Sequence, residues 1–125
     1  MRNSPRAAAA VLAAVLLCGC NSATKRNAAQ ITGGDADRGA SNISKYGCGS
    51  CHTIPGIAGA HGMVGPPLTG IGNRMYVAGI LPNEPGNLVH WVRDPHSVNE
   101  KTVMPNLGVT SHEAVDIAAY LYSLK

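Results

Sequence analysis

The sequence predicts an all-α domain of about three to five short helices closed around a bound non-protein group. Two observations predict the helices. Apolar residues recur at helical spacing at both ends of the stretch that begins at residue 35, and no convincing strand pattern occurs anywhere. The third observation predicts the guest. Phe is absent, Trp occurs once and Tyr four times, against 15 Gly and 8 Pro, so the chain brings little aromatic bulk to a core. With 125 residues there is room for one domain, and so short a chain buries a smaller fraction of its surface than a larger protein does. A large flat apolar cofactor would supply the missing volume, as metals and disulfides do in other small domains.

The chain opens with Arg2 and Arg6 ahead of an apolar run from Ala7 to Leu17, the pattern of an export signal. That run is too short for a stable helical span, which needs about 20 apolar residues. It ends in Leu17-Cys18-Gly19-Cys20, which resembles the lipobox of bacterial lipoproteins. The resemblance implies a lipoprotein-type signal peptide over residues 1–19, cleavage before Cys20, and lipidation of Cys20. The protein would then be exported and held by lipid to a membrane on the periplasmic side; an ordinary secretory signal with two incidental cysteines is the alternative. Residues 20–34 are polar and Ala-rich with no clear period and read as a flexible tether, leaving residues 35–125 as the folded domain. From Cys20 onward eight Lys and Arg face seven Asp and Glu, a net of +1 with no basic stripe, which argues against nucleic acid as a partner.

Asp35 and Asp37 stand where acids favour a helix start, and Ala36, Ala40 and Ile43 repeat at helical spacing up to Tyr46. This helix leads directly into Cys48. Leu88, Val89, Trp91 and Val92 predict a short helix that begins near Asn83 or Asn87 and ends at Asp94-Pro95. Thr110-Ser111-His112-Glu113 fits a capping box. Beyond it Ala114, Ile117, Ala118 and Leu121 form one apolar stripe, with Val115 and Tyr122 beside it. The stripe must be buried, and the first helix is the natural partner, with Gly39 permitting close approach.

Cys48-Gly49-Ser50-Cys51-His52 is the attachment pattern of c-type haem. Two thiols add across the two porphyrin vinyl groups, and the adjacent histidine is placed beneath the iron, which its imidazole suits as a ligand. A zinc ribbon would need a second ligand pair, and no cysteine follows His52. A thioredoxin-like pair would need a βαβ context that the chain lacks. A Cys48–Cys51 disulfide would close a very small loop and leave His52 unexplained.

The second axial ligand decides between an electron carrier and a site that binds a substrate or gas. Met104 is the strongest candidate, because Val103-Met104-Pro105-Asn106-Leu107-Gly108 is a loop whose Pro and Gly can aim a side chain inward. Met63 follows His52 too closely to cross to the other face easily, and Met75 reads as a core filler. His61, His90, His96 and His112 read as surface residues, with His61 the one histidine worth weighing against Met104.

Taken together these segments resemble a class I, monohaem cytochrome c, over about residues 35 to 125. The resemblance implies that fold around one covalent haem c. Gly65-Pro66-Pro67-Leu68 is similar to the family's loop in which a proline carbonyl accepts the hydrogen bond of the iron-bound histidine, implying that Pro66 orients His52. Asn87-Leu88-Val89-His90-Trp91-Val92 is similar to its middle helix, implying that Trp91 holds a haem propionate, and Arg74 would pair with another. The Met104 loop and the last helix look like those of bacterial members, in particular the cytochrome c domains associated with haem–copper terminal oxidases. An electron-transfer protein rather than an enzyme is implied. Its partners would be a redox donor and acceptor, with a terminal oxidase a candidate, the haem-attachment machinery, and the membrane through its lipid. Electrons would leave by the haem edge near the cysteines, where Gly49, Ile54, Gly56 and Ile57 would let a partner approach. A haem gas sensor and a peroxidase-like haem are the rival functions, and each would require an iron position that Met104 does not close.

Overall fold

A computed structural model describes residues 22–125. The signal peptide expected over residues 1–19, and Cys20, the expected site of lipidation, lie outside the described residues. Among the described residues five helices carry the fold: α1 (residues 22–32), α2 (Ala36–Lys45), α3 (Pro85–Arg93), α4 (Pro95–Val98) and α5 (Ser111–Ser123).

Helix α1 corrects the expectation of a flexible tether over residues 20–34. Its docked face is carried by alanine rather than by large apolar residues, so no amphipathic period is visible, although alanine is the best helix former. Ala28 is buried, the Thr32 hydroxyl donates to the Ala28 carbonyl at 2.8 Å, and Lys25 pairs with Asp37 of α2 at 2.6 Å.

Helix α2 starts where expected. Asp35 is its N-cap, with a side-chain oxygen accepting the Arg38 N–H at 2.8 Å. The chain leaves α2 through Gly47 straight into a single 3₁₀ turn, Cys48–Ser50, so the helix does deliver the first cysteine. Pro85 occupies the first turn of α3, and Asp94 both closes α3 and caps the one-turn helix α4, accepting the Ser97 N–H at 3.3 Å. Helix α4 was not legible, because four residues are too few to show a period.

A small hairpin corrects the expectation of no strand. β1 (Tyr76–Val77) pairs antiparallel with β2 (Leu81–Pro82), Tyr76 opposite Pro82 and Val77 opposite Leu81. Two-residue strands cannot display alternation. The turn carries the signal instead: Ala78 and Gly79 both have positive φ, 56° and 74°, and the Ile80 N–H donates to the Val77 carbonyl at 3.2 Å.

Helix α5 has the expected capping box: the Glu113 N–H donates to Thr110 Oγ1 and the Glu113 carboxylate accepts the Thr110 N–H. It is buried well beyond one stripe, from Ala114 through Tyr122 apart from Val115, because α2, α3 and the turn at Ile71–Asn73 pack on different sides of it. Where α2 crosses α5, a Cβ on Gly39 would stand 2.1 Å from the Asp116 carbonyl oxygen. The two backbones therefore touch, as the sequence suggested. Met75 is 80% exposed rather than a core filler, and Val77, two residues on, is the buried residue of this segment.

Two carboxylates on α5 tie the helices together. Asp116, 2% exposed, accepts from Arg38 Nε at 2.8 Å, from Arg38 Nη2 at 2.9 Å and from the Asp35 N–H at 2.8 Å. The Arg38 guanidinium chiefly holds its pKa below the ordinary value, which satisfies an otherwise costly buried charge. Glu113 accepts from Lys45 at 2.6 Å, from Thr110 Oγ1 at 2.6 Å and from the Tyr46 hydroxyl at 2.7 Å. Those three donors, Lys45 first, lower its pKa to about 2 from 4.5.

Gly39→Ala is expected to lower the unfolding free energy by about 1–3 kcal/mol in urea titrations, the cost of overpacking, despite a helix-propensity gain of about 1 kcal/mol. Because the folded Glu113 binds its proton only near pH 2, its contribution is complete above about pH 5 and is lost as pH falls towards 2. Glu113→Gln is expected to flatten the acid side of the stability curve over that window, read as the urea midpoint at each pH.

Candidate functional site

The core closes around a hole. A cavity of about 420 Å³ sits among α2, α3, α5 and the loops between them, and Ile43, Ile71, Leu88, Val92, Ile117 and Leu121 belong both to the hydrophobic core and to its wall. The volume falls in the range of about 300–1,000 Å³ usual for small-molecule and cofactor sites. An aromatic-poor chain is thereby left with a central space that its own side chains do not fill.

Every residue singled out for the cofactor lines this cavity: Cys48, Cys51, His52, Pro66, Arg74, Trp91 and Met104. The first three arrive with the turn that follows α2. Both thiols are free, and burial pushes the Cys48 thiol pKa up. A dithiol oxidoreductase needs the opposite shift, because the thiolate is the nucleophile. The burial of Cys48 therefore disfavours the thioredoxin-like alternative.

His52 Nδ1 lies 2.7 Å from the Pro66 carbonyl oxygen. A carbonyl only accepts, so the ring proton sits on Nδ1 and Nε2 is left with its lone pair. The approach is tight: a Cβ on Gly65 would stand 2.3 Å from His52 Cε1 and 2.7 Å from Nδ1. Only glycine lets the loop lie against the imidazole. The loop is pinned to the cysteine motif on both sides, by the Gly65 N–H on the Cys51 carbonyl at 2.8 Å and the Leu68 N–H on the Thr53 carbonyl at 2.9 Å.

Met104 is half-buried in a loop held by its own polar side chains. Thr102 Oγ1 accepts the Met104 N–H at 3.2 Å, and Asn106 Oδ1 accepts the Gly108 N–H at 3.0 Å. The competitors are elsewhere. Met63 is 91% exposed, and neither it nor Met75 nor His61 lines the cavity. His61, His90, His96 and His112 are all exposed.

Trp91 is half-buried on the cavity side of α3, beside Leu88 and Val92. Arg74 lines the cavity, but its Nη2 donates to the Pro67 carbonyl and to the Thr69 carbonyl, the latter at 3.0 Å. Gly56 is exposed, whereas Ile54 and Ile57 are 2% and 8% exposed, so neither isoleucine offers the approach expected of it. Both are drawn in by the fold of the loop after His52, where the Ile54 N–H donates to the Ala60 carbonyl at 3.1 Å. The hairpin supplies a wall the sequence did not suggest, through Tyr76, Val77, Ala78 and Gly79. Ala78-Gly79 between apolar pairs was the available signal.

The donor set and the space fit a porphyrin: one imidazole nitrogen, one thioether and two thiols around a mostly apolar cavity, with the imidazole already fixed in its ligating tautomer.

Comparison with known proteins agrees with this geometry. The family model for cytochrome c matches residues 36–125. Cytochrome c oxidase subunit 2 of Alkalihalophilus pseudofirmus is 37% identical over 91 residues, covering 72% of this chain and 26% of that protein. Cytochrome c oxidase subunit 2 of Bacillus sp. strain PS3 is 34% identical over 87 residues, 66% of this chain and 24% of that protein. The chain thus spans about a quarter of the length of these relatives. No solved structure matches it.

Gly65→Ala should push the His52 ring away from the Pro66 carbonyl. Its expected outcome is a several-fold lower haem content per chain after expression with the attachment machinery, measured from the absorbance of the pyridine–haem complex, with helix content by circular dichroism as the control for folding.

Proposed function

The chain belongs to the cytochrome c family, whose members carry a c-type haem and transfer electrons, and on that premise we propose that it is a one-electron carrier with His52 and Met104 as axial ligands. Cys48 and Cys51 would hold the haem by thioether bonds, with His52 Nε2 and Met104 Sδ at the iron. The observation that carries this assignment is an apolar cavity lined by both cysteines, His52 and Met104, and not by Met63, Met75 or His61.

When bound, the haem supplies reversible one-electron exchange at its iron. The residues decide what else can happen there. His52 and Met104 would hold the iron from the protein, so a substrate could bind there only by displacing one of them. His52, held by Pro66, cannot swing to the other tautomer without losing its hydrogen bond. Met104, a thioether, favours the ferrous state, as does the apolar wall that keeps water out, so the potential should be positive. Trp91, on the cavity wall, would hold a propionate. The gas-sensor and peroxidase alternatives both need an open iron position, and Met104 would occupy it.

We place the carrier outside the cytoplasm, relaying electrons between membrane-associated respiratory complexes. The export-type sequence ahead of Cys20 supports this, as does the likeness to subunits of cytochrome c oxidase, which makes a terminal oxidase the favoured acceptor. Among the described residues no helix is long and apolar enough to cross a membrane. Attachment would come from acylated Cys20, because a bacterial lipoprotein anchor carries several acyl chains, whereas one chain binds only marginally. Residues 1–19 would be removed as the signal, and the remainder would form the carrier and its lead-in helix.

Met104→Ala tests the assignment. The expected outcome is loss of the weak long-wavelength band of a methionine–iron bond in the ferric spectrum. The potential should also fall by on the order of 0.1 V or more, within the ~0.8 V range that axial ligands set. A variant with the parent spectrum and potential would remove Met104 from the iron and reopen the alternatives with a free coordination site.

A further inference from the structure

The direction of the His52 ring is set by one carbonyl, that of Pro66, so whatever holds that carbonyl also holds the ligand. The turn that carries it is poor in backbone donors. Pro66 and Pro67 have no N–H, and the nearest backbone anchors are the N–H groups of Gly65 and Leu68 on either side. Between those anchors the Pro66–Pro67 unit is gripped from outside. One nitrogen, Arg74 Nη2, donates to both the Pro67 and the Thr69 carbonyls, so a rotation of the turn must break one bond or the other.

Arg74 is itself held from behind. Asn83 Nδ2 spends both its N–H groups there, on the Ile71 carbonyl at 2.8 Å and on the Arg74 carbonyl at 2.9 Å, and the Asn83 N–H donates to the Met75 carbonyl at 2.9 Å. Asn83 is fixed in turn by buried Tyr122 of α5, whose hydroxyl lies 2.9 Å from the Asn83 carbonyl oxygen and 3.0 Å from Oδ1. A continuous set of hydrogen bonds therefore runs from α5 through Asn83 and Arg74 to the proline turn and the imidazole.

We propose that Arg74 is a positioning residue for His52, clamping the turn whose Pro66 carbonyl orients the ring, with Asn83 as the bracket that holds Arg74 in place. This rests on the ligand role assigned to His52 above. It differs from a propionate partner, because the clamp acts on protein carbonyls and would operate whatever the charge state of the haem edge.

The test uses the haem-loaded full chain. In the parent, the His52 Nδ1–H proton resonance should carry the large shift that binding to a haem iron produces; a resonance at an ordinary position would overturn the ligand assignment itself, before Arg74 is considered. In Arg74→Ala the exchange of that proton with solvent is expected to quicken about tenfold, because a loosened turn leaves the Nδ1–H bond to the Pro66 carbonyl open more often. Unchanged exchange overturns the clamp; if the potential has meanwhile become pH-dependent, Arg74 pairs with a propionate. Asn83→Asp, which keeps the shape and the arginine but removes both Nδ2 donors, is expected to quicken exchange about threefold. Exchange at the parent rate in that variant overturns the bracket role of Asn83.

Discussion

Where α2 crosses α5, Gly39 meets the Asp116 carbonyl so closely that the helices pack backbone to backbone. That approach sets the rest of the structure. It fixes the end of α2 relative to α5, and the end of α2 is where the cysteine motif begins. It also brings the N-terminus of α2 onto Asp116, whose buried carboxylate is acceptable only because Arg38 and the Asp35 N–H satisfy it. A side chain at position 39 would separate the helices and move one wall of the cavity relative to the other.

The same contact explains how a chain without Phe forms a core. Close helices and small residues, Ala114, Ala118 and Ala119, make one side dense, while Ile43, Ile117 and Leu121 face a space they do not fill. The apolar surface of that space is a cost for the chain alone and becomes favourable contact when a flat apolar cofactor enters. Stability and function are coupled here. The residues that complete the core are those that would meet the haem.

Polar groups divide into two kinds. Glu113 with Lys45, Tyr46 and Thr110, and Asp116 with Arg38, staple helices to one another. The bonds around Asn83, Arg74 and the proline turn do something different, since they converge on the one ring nitrogen that orients the imidazole. Rigid scaffold and site geometry are thus maintained by separate networks, which meet only in α5.

The sequence by itself determined α2, α3 and α5, the capping box and the chemistry of Cys48, Cys51 and His52, because each is written in residues a few positions apart, and Gly39 marked where another backbone could come close. Spacing, caps and a five-residue motif are local properties, and local properties survive in one dimension. It also singled out Met104, from the loop chemistry around it. The tertiary structure alone decided that Met104 and not Met63 or His61 lines the cavity, that Met75 faces outward, that residues 22–32 form a docked helix, and that Arg74 grips the proline turn. Those depend on which surfaces meet across tens of residues. An alanine-rich helix face, a two-residue strand or an arginine in a loop leaves no periodic trace, and its role appears only when the chain has closed around the cavity.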